Sequence, residues 1–292
     1  MINVLEENII NLWREQGQQW LDDLPAILAH LSSKWCLTNL RPVDNMSWHF
    51  IARADSAEFS AVCLKIGLDR DVLKDESRAL DYFNGQGMVK LLDQDQDYNA
   101  LLLKQAIPGQ TLKDIASRDI LLAMGTFNAV VDKLQSHALG KSQEGFNPVA
   151  SWLTVFDRLP NDALPNQLIP KASLLSETLL TREDSLSVLH GDLHLDNILS
   201  DQAGWIAIDP KGIVGSKAFE LAAFDFLSQD ELRRNNASEL FLSRVKQLAL
   251  LADVDQSILL DWIFVRLVLN ACWMIEDNGN PRQFLELLNL YS

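Results

Sequence analysis

One stretch restricts this 292-residue chain more than any other: His190-Gly191-Asp192-Leu193-His194-Leu195-Asp196-Asn197, followed shortly by Ile206-Ala207-Ile208-Asp209-Pro210. Apolar runs of strand length bound it: Ser187-Val188-Leu189, Ile198-Leu199 and Trp205-Ile206-Ala207-Ile208. A loop so rich in Asp, His and Asn destabilises a fold unless its polar groups find partners or a task. The segment from Ile198 to Ile208 has room for a strand, a turn at Gly204 and a returning strand. The sequence therefore predicts a hairpin that brings Asp209 beside Asn197.

The surroundings have a different texture. From Asn3 to Trp35, apolar residues such as Trp13, Trp20, Leu24, Ile27 and Leu31 recur at helical spacing, with a new helix expected at Pro25. From Val43 to Ala106 the period shortens. Ala61 to Ile66 and Ala100 to Leu103 read as buried strands, and Val72 to Phe83 as a helix ending at Gly85. Beyond Pro108-Gly109 helical stripes dominate: Met124 to Ala138, Leu240 to Leu251, and Ile258 to Ile275. An α+β arrangement follows, with an amino-terminal domain over residues 1–105 and a larger, mainly helical one over 106–292.

Charge and composition exclude several classes. Forty acidic against 25 basic residues leave a net charge of −15, which argues against a nucleic-acid partner. A cationic ligand suits that field, and a merely solvated surface suits it equally. Hydrophobic residues make up 48%, so the chain can bury a large core and wholesale disorder is excluded. Glu6 and Glu7 stand where a signal peptide would be basic, and Ile263 to Ile275, broken by Arg266 and Asn270, reads as a buried helix rather than a membrane span. Cys36, Cys63 and Cys272 are scattered among apolar neighbours and read as buried thiols. A cytoplasmic location, no membrane and no nucleic acid are the expectations; the oligomeric state is not legible.

Phosphoryl transfer accounts for the polar loop. That chemistry needs a carboxylate to orient a hydroxyl and take its proton, and an amide plus a second carboxylate to hold magnesium against a triphosphate. Asp192 suits the first role, Asn197 and Asp209 the others, and the five-residue step from Asp192 to Asn197 matches a kinase catalytic loop. Lys65 ends an apolar strand and Glu76 follows in the next helix, a pair able to position nucleotide phosphates. Singly, each has an ordinary reading: a strand lysine reaches out to solvent, and loop Asp and Asn are turn residues. Their joint order is what carries the reading.

The segment HGDLHLDNIL at His190–Leu199 resembles the catalytic loop of the aminoglycoside phosphotransferase family, which has a protein-kinase-like fold. IDPKGIVG at Ile208–Gly215 is similar to the subgroup of streptomycin 6-phosphotransferases and hydroxyurea-type antibiotic resistance kinases. Trp13, Gly17, Trp20-Leu21, Leu24-Pro25, Trp35, Leu64-Lys65, Glu76 to Leu80, Gly85-Gln86-Gly87 and Pro108-Gly109 keep that subgroup's spacing. The resemblance implies a two-lobed fold: a small N-lobe with an antiparallel sheet and extra amino-terminal helices, and a larger helical C-lobe. It implies Asp192 as catalytic base, Asn197 and Asp209 (in segment 208–215) as magnesium ligands, and Lys65 on the α- and β-phosphates of ATP, held by Glu76. Leu103, Lys104, Gln105 and Ala106 would meet adenine through backbone groups, and His190 and His194 would hold the loop (190–199) in shape. The implied activity is transfer of the ATP γ-phosphate to a hydroxyl of a polyhydroxylated, cationic acceptor of streptomycin type.

The chain departs from the family's pattern in three places. The phosphate-covering loop, Val43 to His49, has no glycine, leaving Ser47 as its candidate hydrogen-bond donor. Leu195-Asp196 replaces a Pro-plus-small pair, and Glu220 stands where an aspartate braces the catalytic loop. Lys211 reads equally as a phosphate contact or a surface lysine. Candidates to receive the acceptor's cations are Glu220, Asp225, Asp230, Glu231, Asp261, Glu276 and Asp277. Alternative readings are a housekeeping kinase for another sugar or amino alcohol, a metal-dependent hydrolase using His190, Asp192 and His194, and a non-catalytic kinase-like binding module.

Overall fold

A computed structural model describes residues 3–182 and 185–291. The chain divides into two compact units: Met1–Gly109 with Asp201–Ile206, and Gln110–Ser200 with Ala207–Ser292. The architecture is α+β and two-lobed, with an antiparallel sheet in the small lobe and mostly helices in the large one. Chain order alone gave everything beyond residue 105 to the large lobe. Residues 201–206 instead count with the small one, where Asp201 accepts the Ile107 N–H at 3.1 Å and lies 3.6 Å from the Lys104 ammonium.

In the small unit, helix α1 (Asn3–Lys34) precedes strands β1 (Leu37–Pro42), β2 (Phe50–Ser56) and β3 (Ser60–Ile66), then helix α2 (Arg70–Phe83) and strands β4 (Leu91–Asp95) and β5 (Ala100–Lys104). The five strands are antiparallel in the order β1-β2-β3-β5-β4. Alternation along a strand sends successive side chains to opposite faces. Val62, Leu64 and Ile66 thus join one apolar cluster with Leu24, Ile27 and Leu31 of α1, while Lys65 turns the other way. The break expected at Pro25 is absent: α1 runs through Pro25, which forfeits a single backbone bond while Leu24 and Ile27 stay packed. The break falls at Arg14 (φ 50°, ψ −121°), where the helix folds back so tightly that a Cβ on Gly17 would meet the Ile9 carbonyl oxygen at 2.5 Å. Asp69 caps α2, accepting the N–H groups of Asp71 and Val72.

The large unit contains α3 (Leu112–Ala116), α4 (Ile120–Ala138) and α5 (Leu168–Leu180) before the polar loop. β6 (Ser187–Leu189) leads into that loop, and β7 (Ile198–Asp201) and β8 (Gly204–Ala207) follow it, carrying residues 201–206 of the small unit; β9 (Ile213–Gly215), α6 (Lys217–Leu221), α7 (Ala237–Ala252), α8 (Gln256–Glu276) and α9 (Arg282–Leu288) complete the large unit. By length and composition α8 could cross a membrane, but it packs against α5, α6, α7 and α9 and carries Arg266 buried within it. Burial pushes the thiols of Cys63 and Cys272 up to about 11 and about 12. Cys36 corrects the expectation of a buried thiol: it is exposed, at a turn with φ 50°.

Candidate active site

Lys65 lies on β3 between Ile51 of β2 and Leu101 of β5, so its stem is enclosed on both sides. Its ammonium reaches α2, 2.6 Å from Glu76 Oε2, and both residues are buried at 4% and 2% exposure. Removing one partner of such a pair leaves an uncompensated charge, at a cost of about 3–5 kcal/mol. The glycine-free loop at residues 43–49 is held by packing instead of by a cradle. Met46 is buried, its sulfur accepts the Ile51 N–H, and Asn8 of α1 donates to the Ser47 carbonyl at 2.9 Å. A glycine that sequence reasoning passed over faces this loop: a Cβ on Gly67 would meet the His49 ring at 2.5 Å. In the segment expected to meet adenine, Leu103 is buried, Lys104 N–H bonds to the Lys90 carbonyl and Gln105 N–H to the Ala61 carbonyl. The backbone N–H of Ala106 has no such bond among the described residues.

The large unit holds Asp192, Asn197 and Asp209 in one frame. The Asn197 side-chain amide donates to the Asp192 carbonyl at 2.9 Å, and its backbone N–H to the His194 carbonyl at 2.9 Å. The hairpin β7–β8 forms as predicted, and at its base Ile208 N–H donates to the Asn197 carbonyl at 2.9 Å. Asp209, the next residue, sits at φ 59°, a left-handed conformation that aspartate adopts more readily than most non-glycine residues. Lys211 bends back to within 3.3 Å of the Asp209 carboxylate. Gly191 is required as glycine: its φ is 88°, and a Cβ would press at 3.0 Å on Ile213 and Trp152.

Beneath the loop lie buried ionisable groups. Glu220 of α6 accepts the backbone N–H of His190 at 2.5 Å and of Gly191 at 3.1 Å, and Arg266 of α8 donates to the Gly191 carbonyl at 3.0 Å. Burial raises the Glu220 carboxyl to about 7 against the opposing pull of Arg266 and the two amides. His190 is fully buried, and burial lowers it to about 4. Its Nε2 donates to the Ile208 carbonyl at 2.7 Å and its Nδ1 accepts the Asp192 N–H at 3.2 Å, which assigns the neutral Nε2–H tautomer. Both ring nitrogens are therefore engaged within the loop, Nε2 as a donor and Nδ1 as an acceptor. Among the described residues no three His, Cys, Asp or Glu side chains converge into a metal-holding group. One amide oxygen at Asn197 and one carboxylate at Asp209 are still hard donors suited to magnesium, which keeps water and phosphate as its remaining ligands.

Further residues complete the surroundings. Lys113 of α3 pairs with Asp196 at 2.5 Å, and His194 Nδ1 lies 3.8 Å from the same carboxylate. The Leu195 N–H, which a proline would lack, donates to Asp225 at 3.2 Å. A cavity of about 430 Å³ within this unit is lined by Asp192, His194, Asp225, Phe226, Arg266 and Phe284 among others. The acidic candidates thereby separate: Asp225 lines the cavity, Glu220 lies under the loop, Glu231 pairs with Arg244 and Glu276 with Arg158. Sequence reasoning missed Arg266 and Lys113 as loop contacts; the signal for the first was a lone arginine inside an apolar helix.

Residues 38–278 match the family described as aminoglycoside/hydroxyurea antibiotic resistance kinase. The chain is 27% identical over 270 residues to streptomycin 6-kinase of Streptomyces griseus, spanning 90% of this chain and 87% of that one. It is 26% identical over 269 residues to hydroxyurea phosphotransferase of Kitasatospora aureofaciens, spanning 89% and 76%. Among solved structures, a choline/ethanolamine kinase family protein from Mesorhizobium loti superposes with a TM-score of 0.65 at 14% identity, over 91% of this chain and 90% of that one. Aminoglycoside phosphotransferase APH(4)-Ia in complex with ADP and hygromycin B gives 0.58 at 11% identity, over 86% and 91%. These two share the fold.

Proposed function

The chain belongs to the aminoglycoside/hydroxyurea antibiotic resistance kinase family, and on that premise we propose that it is an ATP- and magnesium-dependent phosphotransferase acting on a hydroxyl of a small cationic acceptor. Streptomycin-type aminoglycosides and amino alcohols both fall in that class. One observation carries the reading: the Asn197 side chain is tied to the Asp192 carbonyl, and the hairpin base ties Asn197 to the residue before Asp209.

In this reading Asp192 orients the acceptor hydroxyl and takes its proton as the oxygen attacks the γ-phosphorus. The bond to the β–γ bridging oxygen breaks, and ADP leaves with that electron pair. Asn197 and Asp209 would hold magnesium, which would supply charge neutralisation to the phosphates. Lys65, fixed by Glu76, contacts the α- and β-phosphates, and backbone groups of Leu103 to Ala106 take the adenine, with the exposed Ser47 as a further donor to phosphate. Glu220, His190 and Arg266 keep the loop in register, while the backbone of His194 closes its turn. We place the reaction in the cytoplasm, where ATP is supplied.

The test is ADP release with magnesium, ATP and a panel of hydroxylated cations. Acceptor-dependent turnover is expected, with Asp192→Ala lowering kcat by about 10²-fold or more while far-ultraviolet circular dichroism stays unchanged. ADP release that survives both Asp192→Ala and Asp209→Ala would sink the assignment and leave a non-catalytic module. Activity that needs zinc and no ATP would contradict it as well.

A further inference from the structure

The cavity beside Asp192 holds a definite amount of fixed charge. Two carboxylates, Asp192 and Asp225, and one guanidinium, Arg266, line it. With histidine counted neutral, the lining sums to one negative charge. Much of the remaining wall is phenyl and aliphatic, Phe226 and Phe284 included. At about 430 Å³ the cavity is at the small end of ligand sites, which run from about 300 to 1,000 Å³.

Asp225 is placed unusually for an acid. Asp225 is exposed to solvent, while the protein packed around its carboxyl raises it above the ordinary range. One oxygen accepts the Leu195 N–H at 3.2 Å. No cation lies within salt-bridge distance of it among the described residues, in contrast to Glu231 and Glu276, each of which has an arginine. Lys113 and His194 attract it from farther off, and Lys113 itself is committed to Asp196. An acid that opens onto a phenyl-walled cavity and lacks an ion-pair partner is suited to receive a cation there.

We propose that Asp225 is the specificity-determining residue of the acceptor site, and that the site takes a small alcohol carrying a single positive charge in preference to a polycationic aminoglycoside. The inference rests on the phosphotransferase reading, since it assigns the cavity to the acceptor. The ammonium of an amino alcohol or single-amine sugar meets Asp225 against the phenyl walls while its hydroxyl turns to Asp192. A ligand with three positive charges would exceed the one negative charge of the lining and bring a cation toward Arg266, where like charges repel.

The experiment measures initial rates for the full chain with magnesium-ATP against 2-aminoethanol, its trimethylammonium analogue, glucosamine, a neutral diol and streptomycin. A monocation should give the highest kcat/KM, about tenfold or more above both the diol and streptomycin. Asp225→Asn keeps an acceptor for the Leu195 N–H and removes the charge. It should raise KM for the monocation by about 10- to 100-fold, the range of one charge-assisted hydrogen bond, with kcat and the diol's KM within about twofold. A structural role alone would lower kcat for both substrates alike, and that result overturns the proposal. So does streptomycin outperforming every monocation in turnover that Asp192→Ala abolishes, an outcome that leaves the kinase reading standing. ADP release insensitive to Asp192→Ala fails the kinase reading itself. If no acceptor is turned over, calorimetric titration of 2-aminoethanol decides, and binding that is absent or unchanged in Asp225→Asn overturns the inference.

Discussion

Two buried groups meet at the polar loop, and their protonation pulls stability in opposite directions. His190 falls from an ordinary 6.5 to about 4 inside the protein. The unfolded chain therefore binds the proton more readily, and the histidine's contribution is complete above pH 6.5 and lost as pH falls through 4. Glu220 rises from an ordinary 4.5 to about 7, so its contribution is complete below pH 4.5 and lost as pH rises through 7. Between pH 4.5 and 6.5 the two slopes oppose, each amounting to about 3 kcal/mol over that interval. In Glu220→Gln only the histidine slope remains, so the variant's unfolding free energy should climb by about 3 kcal/mol more than the wild type's from pH 4.5 to 6.5. Urea midpoints across that range measure it, and parallel curves for the two proteins would contradict the linkage. A standard kinase loop spacing made Asp192 and Asn197 legible as candidates, and the hairpin pattern added Asp209. The bracing was legible only as a question, because a carboxylate that takes two backbone amides leaves no pattern beyond its own presence at position 220.

At the scale of elements, β3, β5, α2 and the β7–β8 hairpin were legible because apolar runs of strand length or helical period announce buried elements. β2 was not, since its inward residues Ala52 and Ala54 are too small to stand out against a polar alternation. Helix α1 shows the opposite error. Proline is the strongest local punctuation, yet α1 passes through Pro25, and the reversal occurs at Arg14, which carries no such signal. What permits the reversal is Gly17, so its replacement tests the element directly. Gly17→Ala places a methyl against the backbone of Ile9, which cannot move as a side-chain tip could. A loss of about 1–3 kcal/mol in denaturant unfolding is expected, with substrate KM values unaltered. A neutral substitution would mean that the fold-back is looser than the contact implies.

Over the whole molecule, the net charge of −15 acts on encounter rather than on chemistry. Residues 1–105 carry an excess of six acids and residues 106–292 an excess of nine, so the field has no marked local focus along the chain. Raising ionic strength from about 0.01 to 0.15 M shortens the screening length from about 30 to 8 Å. KM for a cationic acceptor should then rise by about two- to fivefold, with kcat and a neutral diol's KM unaffected; steady-state rates over a salt series measure this. The two lobes were legible in outline from the change of periodicity near residue 106, but the return of residues 201–206 to the small lobe was not, since assignment by chain order cannot see a carboxylate arriving from ninety residues away. That return has a genetic consequence. The coding sequence offers no single cut that yields both units whole: a fragment ending at Gly109 lacks Asp201, the acceptor of its own Ile107 amide. Insertions, fusions and split-gene designs that respect only the 109/110 junction would part this segment from its neighbours.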